Sequence, residues 1–153
     1  MSIREKIDKV IEFALIVLIS TLVLDVLWQV FSRYVLSSPS SFTDELAGFL
    51  LIWVGLLGAA YVAGKNEHLA IDLMLQKLKG KKKRNLQIII NLIVGIFAIF
   101  VMVFGGTWLV YTRFILGVKS AALALSLGYV YLIVPISGLI ILYYVIDNSL
   151  KIK

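Results

Sequence analysis

The sequence predicts an all-α integral membrane protein, with four transmembrane helices and an amphipathic interfacial helix between the second and the third. The 153 residues are 61% hydrophobic, well above the roughly 45–50% apolar fraction of soluble domains. Four apolar stretches are each long enough for a spanning helix, which needs about 20 residues. Charged residues gather at the ends of these stretches, which is typical of membrane topology and argues against a nucleic-acid-binding protein.

We expect one membrane domain over residues 1–153, with spans at about 10–34, 44–64, 85–112 and 122–146. The basic N-terminus runs into the first span without a small-residue cleavage site, so we interpret this span as retained. Pro135 lies inside the fourth span, where neighbouring helices can satisfy the backbone carbonyl that a proline frees. The chain has no cysteine, which excludes disulfides, thiolate metal sites and cysteine nucleophiles.

The loop between the first and second spans is short and rich in serine. Ser41 and Asp44 have the spacing of a capping box at the start of the second helix. Asp44 and Glu45 also lie near the positive end of that helix's dipole, so helix capping is the simpler interpretation of both acids. The alternative is that Ser41, Asp44 and Glu45 form a periplasmic docking surface for a partner protein.

Basic residues predict the orientation of the chain in the membrane. With the N-terminus inside, twelve of the fifteen Lys and Arg residues lie in the cytoplasm and three lie outside. This asymmetry follows the positive-inside rule for a bacterial inner membrane. Both termini are therefore expected to be cytoplasmic.

A basic bridge, residues 65–84, joins the second and third spans and carries seven of the basic residues. Four of its apolar residues share one helical face, as in a helix that lies in the membrane interface: Ile71, Met74, Leu75 and Leu78. Four consecutive cations follow and suit anionic head groups: Lys81, Lys82, Lys83 and Arg84. The alternative is that the apolar face packs on another subunit, and one helix can do both.

His68 and Asp72 lie four residues apart in the bridge, a spacing that allows a side-chain hydrogen bond on a helix. We interpret them as a structural pair. Two ligands on one turn, without a second histidine or any cysteine, make a weak metal site. No nucleophile or partner base accompanies His68, so neither a cofactor nor an enzymatic activity is predicted.

Polar residues inside the first span need an explanation, because an intramembrane carboxylate is costly. Thr21, Asp25, Gln29 and Ser32 lie along one side of the helix and are expected to face protein. Asp25, Gln29 and Arg33 are therefore candidate contacts with another subunit or with lipid. The alternative for Asp25 is an ion or proton site, although the other spans offer no second intramembrane acid.

Glycines in the second and third spans predict close helix packing. They are Gly55, Gly58, Gly64, Gly95, Gly105 and Gly106. The Gly105–Gly106 pair also predicts a locally loosened third helix.

Several short motifs follow one another in a specific order along the chain. They are FSRYV (residues 31–35), Ser38-Pro39, SFTDELA (41–47), Trp53, GAA (58–60), EHLAIDL (67–73), SAALAL (120–125), GYVY (128–131) and Pro135. The ordered set, from about Phe31 to Gly138, resembles the small membrane subunit of tripartite ATP-independent periplasmic (TRAP) transporters, the DctQ-like family. The chain departs from the family's usual residues at Phe42, Gly48, Ala121 and Ser126.

The resemblance implies the small permease subunit of a three-part, sodium-coupled importer of an organic acid, such as a C4-dicarboxylate or sialic acid. A periplasmic substrate-binding protein would deliver the acid to a large polytopic membrane subunit. The small subunit would scaffold and anchor that large subunit and help to form the docking surface for the binding protein. Substrate and sodium ligands would lie in the large subunit, so none is assigned here; membrane phospholipids are a further partner.

Two other classes of function stay open on the residues alone. One is a self-sufficient four-helix exporter of small cations that uses Asp25 as its coupling acid. The other is the membrane anchor of a respiratory enzyme that binds haem or quinone. The single histidine, His68 at the cytoplasmic rim, argues against bis-histidine haem ligation.

Overall fold

The computed structural model describes residues 3–65 and 81–150, and these form helices without a β-strand. The helices are α1 (Ile3–Tyr34), α2 (Ser41–Lys65), α3 (Lys81–Phe97), a π-helical segment (Ala98–Gly105), α4 (Gly106–Ile115), α5 (Leu127–Tyr131) and α6 (Ile133–Leu150). Four helical stretches are long and apolar enough to cross a membrane. The first two are α1 and α2, and the third and fourth spans are Lys81–Ile115 and Leu127–Leu150. This confirms the predicted class of all-α membrane protein. The predicted interfacial helix falls mainly on residues 66–80, outside the described part of the chain.

The four spans lie side by side in the order first, second, fourth, third. Within the described residues, the backbone of α1 comes close only to α2, and α2 comes close to the fourth span. The fourth span is accordingly the most enclosed: 33% of its most apolar window is buried, against 11% in the first and third spans. An open row of this kind leaves two broad apolar faces uncovered, rather than surrounding a central core.

Small residues bring the neighbouring spans together. The core cluster is formed by Ala60, Ala63, Ala98, Met102 and Ile141. A Cβ atom built on Gly64 would lie 2.7 Å from the Tyr144 ring, and one on Gly106 would lie 2.8 Å from Val134. The predicted role of glycine in close packing is therefore confirmed at these two positions.

Other glycines differ in whether they lie at a close contact between helices. A Cβ atom built on Gly55 or Gly58 of the second span would meet nothing within 4 Å among the described residues, so neither lies at a close contact between the described helices. Gly128 and Gly138, which the sequence did not single out, meet Phe114 and Met102 at 2.7 Å in the same test. Which glycines matter depends on which helices become neighbours, and a single span does not carry that information.

The third span contains an eight-residue π-helical segment, Ala98–Gly105, which ends beside Gly106. The predicted local loosening at the glycine pair agrees with this change in helix geometry. The segment packs against α6, with Met102 buried in the core cluster. It therefore lies at the most enclosed part of the row.

The fourth span breaks at Leu132, between α5 and α6. Pro135 lies in the first turn of α6, where a proline is tolerated because its missing N–H has no intrahelical role. The Trp53 indole N–H donates to the carbonyl of Val130 at 3.0 Å, so α2 satisfies a backbone acceptor next to the break. The helix begins at Leu127 rather than near residue 122, since residues 116–126 form a compact loop.

Candidate functional site

One end of the row holds a network of polar side chains that joins α1, α2 and α6. We call it the terminal clasp. Its members are Arg4, Asp8 and Glu12 from α1, Tyr61, Gly64 and Lys65 from α2, and Tyr144, Asp147 and Asn148 from α6. The α1 members recur every four residues, which places them on one helix face.

Arg4 is the centre of the clasp. Its guanidinium forms an ion pair with Asp147 and donates to the backbone carbonyl of Gly64. It also donates to Oδ1 of Asn148 at 2.9 Å and lies 5.6 Å from the centroid of the Tyr144 ring. The side chains of Arg4 and Asp147 are only 23% and 25% exposed, so the ion pair is largely shielded from solvent.

Two further contacts extend the clasp along α1. The hydroxyl of Tyr144 donates to Asp8. The hydroxyl of Tyr61 donates to Glu12 at 2.5 Å, and Lys65 Nζ lies 3.9 Å from the same carboxylate. The sequence analysis predicted no role for Glu12. The spacing of Arg4, Asp8 and Glu12 was the signal that could have revealed the clasp.

The opposite end of the row, which we call the loop end, is held by Glu45. Its carboxylate accepts backbone N–H groups from three consecutive residues: Ala121 at 2.9 Å, Ala122 at 3.0 Å and Leu123 at 3.1 Å. These amides belong to the loop before the fourth span, where Ala124 has a positive φ of 53°. Glu45 therefore fixes the loop to the start of α2.

The neighbouring acid has a different environment. Asp44 lies 3.6 Å from Nη2 of Arg33, and both side chains are 51% exposed. The backbone N–H of Asp44 donates to the carbonyl of Ser40 at 3.3 Å, and Ser41 is the exposed first residue of α2. Ser41, Asp44 and Arg33 thus lie at an accessible surface of the loop end.

The predicted polar row of the first span divides into buried and exposed members. Asp25 and Ser32 are buried, at 8% and 3% exposure, whereas Gln29 is half-buried. Thr21 is exposed, and its hydroxyl donates to the Val17 carbonyl at 2.8 Å. Asp25 Oδ2 has no hydrogen-bond partner among the described residues.

The remaining predicted residues lie in or beside the bridge. Lys81, Lys82, Lys83 and Arg84 form the exposed first turn of α3. Six residues fall outside the described part of the chain, and their predicted roles stay predictions: His68, Ile71, Asp72, Met74, Leu75 and Leu78. Within residues 3–65 and 81–150, no group of three His, Cys, Asp or Glu side chains is arranged to hold a metal ion.

These features define a small multi-pass membrane protein whose polar contacts fix the ends of its spans and whose broad faces are apolar. Residues 22–152 match the family described as tripartite ATP-independent periplasmic transporters, DctQ component. The chain belongs to this family. The predicted family is thereby confirmed, and a transporter component, rather than an enzyme, is the class to which the chain belongs.

Two similar proteins are named as small permease proteins of TRAP transporters. The chain is 30% identical over 77 residues to a Haemophilus influenzae protein named provisionally as a TRAP transporter small permease protein. It is 28% identical over 102 residues to the sialic acid TRAP transporter small permease protein SiaQ of Vibrio cholerae. These matches cover 50% and 65% of this chain, and 48% and 59% of the two relatives.

A third similar protein is of another kind. The sialic acid TRAP transporter permease protein SiaT of Haemophilus influenzae is 33% identical over 66 residues. The match covers 43% of this chain but only 11% of SiaT, which is therefore a much longer protein.

Proposed function

We propose that this chain scaffolds and anchors the large transport subunit of a sodium-coupled TRAP importer of an organic acid. The open row of spans is the observation that carries the proposal. Small-residue packing joins neighbouring spans, and the clasp and Glu45 add polar contacts at the two ends of the row, so the spans are held together without forming a closed bundle. An open row of apolar spans suits a membrane anchor. A second membrane protein that packs on the row gains a wider area of contact within the bilayer.

The similarity to SiaT supports a large permease as the partner. A sequence like that of this chain forms a small part of one long sialic acid permease protein. A large permease of this kind is the proposed partner of the present chain. An organic acid such as sialic acid or a C4-dicarboxylate is the proposed substrate class, in keeping with the names of SiaQ and SiaT.

The two ends of the row have different proposed partners. At the loop end, Ser41 and Asp44 are exposed and are proposed to contribute to the docking surface for the periplasmic binding protein. Because Glu45 is engaged by three backbone amides, its proposed contribution is to hold that surface in shape. At the other end, Lys81–Arg84 are proposed to meet lipid head groups or the large subunit, as is the apolar face of the bridge.

Family membership favours this function over the two alternatives. An exporter that uses Asp25, or the anchor of a respiratory enzyme, would not account for the match over residues 22–152. The buried Asp25 is therefore proposed to support helix contacts.

Reconstitution tests the proposal directly. The chain and the large permease encoded beside it are placed in liposomes, with the binding protein and radiolabelled sialic acid outside. We expect uptake under an inward sodium gradient only when both membrane subunits and the binding protein are present. Uptake by the chain alone, or undiminished uptake without it, would contradict the proposed scaffold role. A panel of C4-dicarboxylates in the same assay separates the substrate class from the scaffold role.

Orientation is tested separately. A reporter enzyme that is active only in the periplasm is fused after Lys153 in one version and within the loop at Ser38 in another. The twelve-to-three distribution of basic residues predicts activity for the Ser38 fusion alone. Activity from the C-terminal fusion would reverse the proposed topology.

A further inference from the structure

An open apolar groove runs between α3 and α6. It has a volume of about 320 Å³, and its walls are formed by Ile88, Leu92 and Ile96 of α3 and by Leu142 and Val145 of α6. Gly95 also lines the groove and leaves it open, since its hydrogen occupies the place of a larger side chain. No residue of α1 or α2 lines the groove.

The groove has the length of one membrane leaflet. Its wall on the third span runs from Ile88 in α3 to Ile99 in the π-helical segment, which corresponds to about 16 Å at 1.5 Å per residue. Half of a typical hydrocarbon core of about 30 Å is close to this length. An acyl chain can therefore lie along the groove from the membrane surface to the bilayer centre.

Polar and basic groups lie at the outer end of the groove. The Asn91 amide donates to the Ser149 hydroxyl at 3.1 Å, and both residues line the groove. Lys81 and Arg84 precede Ile88 by seven and four residues, which places them on the same face of α3 beyond the groove opening. Both cations are exposed.

A second groove lacks this arrangement. It lies between α1 and α2, has a volume of about 310 Å³ and is lined by Phe13, Ala14, Val17, Leu18, Trp53 and Leu57. The two grooves have almost the same volume, but only the α3–α6 groove is lined by an asparagine–serine pair, Asn91 and Ser149.

We propose that the α3–α6 groove is a binding site for one anionic phospholipid of the cytoplasmic leaflet. The phosphate binds Lys81 and Arg84, the ester region meets Asn91 and Ser149, and an acyl chain lies along Leu92–Ile99. The site rests on the orientation proposed above but not on the proposed subunit partner. It adds a specific lipid ligand to the anchoring role.

The purified full-length chain in detergent is labelled with phosphatidylglycerol that carries a photoactivatable group in its acyl chain. The labelled peptides are then identified by mass spectrometry. We expect labelling of residues 88–99 and 142–149, and much weaker labelling there with the corresponding phosphatidylcholine.

Two pairs of variants test the geometry. The double variant Lys81→Gln, Arg84→Gln lacks two cations, each of which should contribute roughly fivefold to binding. It should reduce groove labelling by phosphatidylglycerol at least about tenfold. Lys82→Gln with Lys83→Gln removes the same charge from the other side of α3 and should have little effect. Leu92→Trp should block the groove, whereas Ile93→Trp should not. Leu92 and Ile93 are both 61% exposed, but only Leu92 lines the groove.

Three results would overturn the proposal. The first is equal groove labelling by the two lipids, and the second is an equal effect of the two charge variants. The third is loss of lipid labelling in the complex with the large permease, together with crosslinks from Leu92 to that protein. If Leu92→Trp fails to fold, the two charge variants still test whether the groove binds an anionic lipid. Labelling uses the chain alone, so a negative labelling result would not change the result expected in the uptake experiment.

Discussion

Asp25 illustrates how a single residue departs from the apolar pattern of its span. It is 8% exposed in α1, and its Oδ2 is without a hydrogen-bond partner in the described part of the chain. A carboxylate near the centre of a membrane helix costs about 2.5–3.5 kcal/mol on insertion scales. A contact supplied on assembly would lower this cost, which is compatible with a structural role.

Replacing Asp25 by Asn tests that role. The amide has nearly the same shape and can still form hydrogen bonds, so we expect normal assembly and close to wild-type uptake in the reconstituted system. Asp25→Leu is the contrasting variant, and it is expected to weaken co-purification with the large permease. Normal assembly of Asp25→Asn with loss of sodium coupling would instead identify Asp25 as an ion site.

Glu45 and Asp44 are adjacent acids with different predicted effects. Glu45→Gln replaces the carboxylate that accepts hydrogen bonds from the N–H groups of Ala121, Ala122 and Leu123 with an uncharged amide. We expect hydrogen exchange of these three amides to become faster on the order of tenfold, because local opening of the loop becomes easier.

Asp44→Asn is the matched control for this prediction. It removes the same charge from a pair with Arg33 in which both side chains are half exposed, and such pairs contribute little to stability. Exchange in the loop should then stay at the wild-type rate. Equal acceleration in both variants would indicate a general electrostatic effect rather than the Glu45 contact.

At the scale of elements, hydropathy was sufficient to predict the spans. Each predicted span overlaps a helix of the structure, since length and apolarity alone determine whether a segment can cross a bilayer. The short loop before Leu127 and the π-helical segment were harder to predict from hydropathy. They depend on contacts with other spans, such as Glu45 with the loop and Met102 with Gly138.

Gly138 provides a test of packing between elements. A Cβ at this position would lie 2.7 Å from Cβ of Met102 and 3.3 Å from the backbone nitrogen of Val103. We expect Gly138→Ala to destabilise the chain by about 1–3 kcal/mol through overpacking, measured by thermal unfolding in detergent. Gly55→Ala, at a position where the described residues leave nothing within 4 Å, should be neutral. Equal stability of the two variants would contradict the close approach of α6 to the π-helical segment.

The arrangement of the whole molecule was beyond sequence reasoning for a physical reason. Each span is apolar on most of its surface, so its sequence does not distinguish a side that faces lipid from a side that faces protein. The polar contacts that determine the row order join distant residues, as Arg4 joins Gly64 and Asp147. The candidate contacts Asp25 and Asp44 were predicted, whereas the clasp was not, because it requires three helix ends to be brought together.

The terminal clasp makes the last prediction at this scale. Arg4→Ala removes the ion pair with Asp147 and the donors to Gly64 and Asn148. Because the ion pair is largely shielded from solvent and three acceptors would lose the Arg4 donor, we expect a loss of about 1–3 kcal/mol of stability. The loss should be measurable as a lower unfolding temperature in detergent.

Lys6→Ala is the control for the clasp, because it removes the same positive charge two residues away, at an exposed position. Both variants change the topological signal of the N-terminus equally, so a difference between them reports the clasp itself. Hydrogen exchange should increase together in the first turns of α1 and the last turns of α2 and α6 in Arg4→Ala. An increase confined to α1 would mean that Arg4 fastens one helix end rather than joining three.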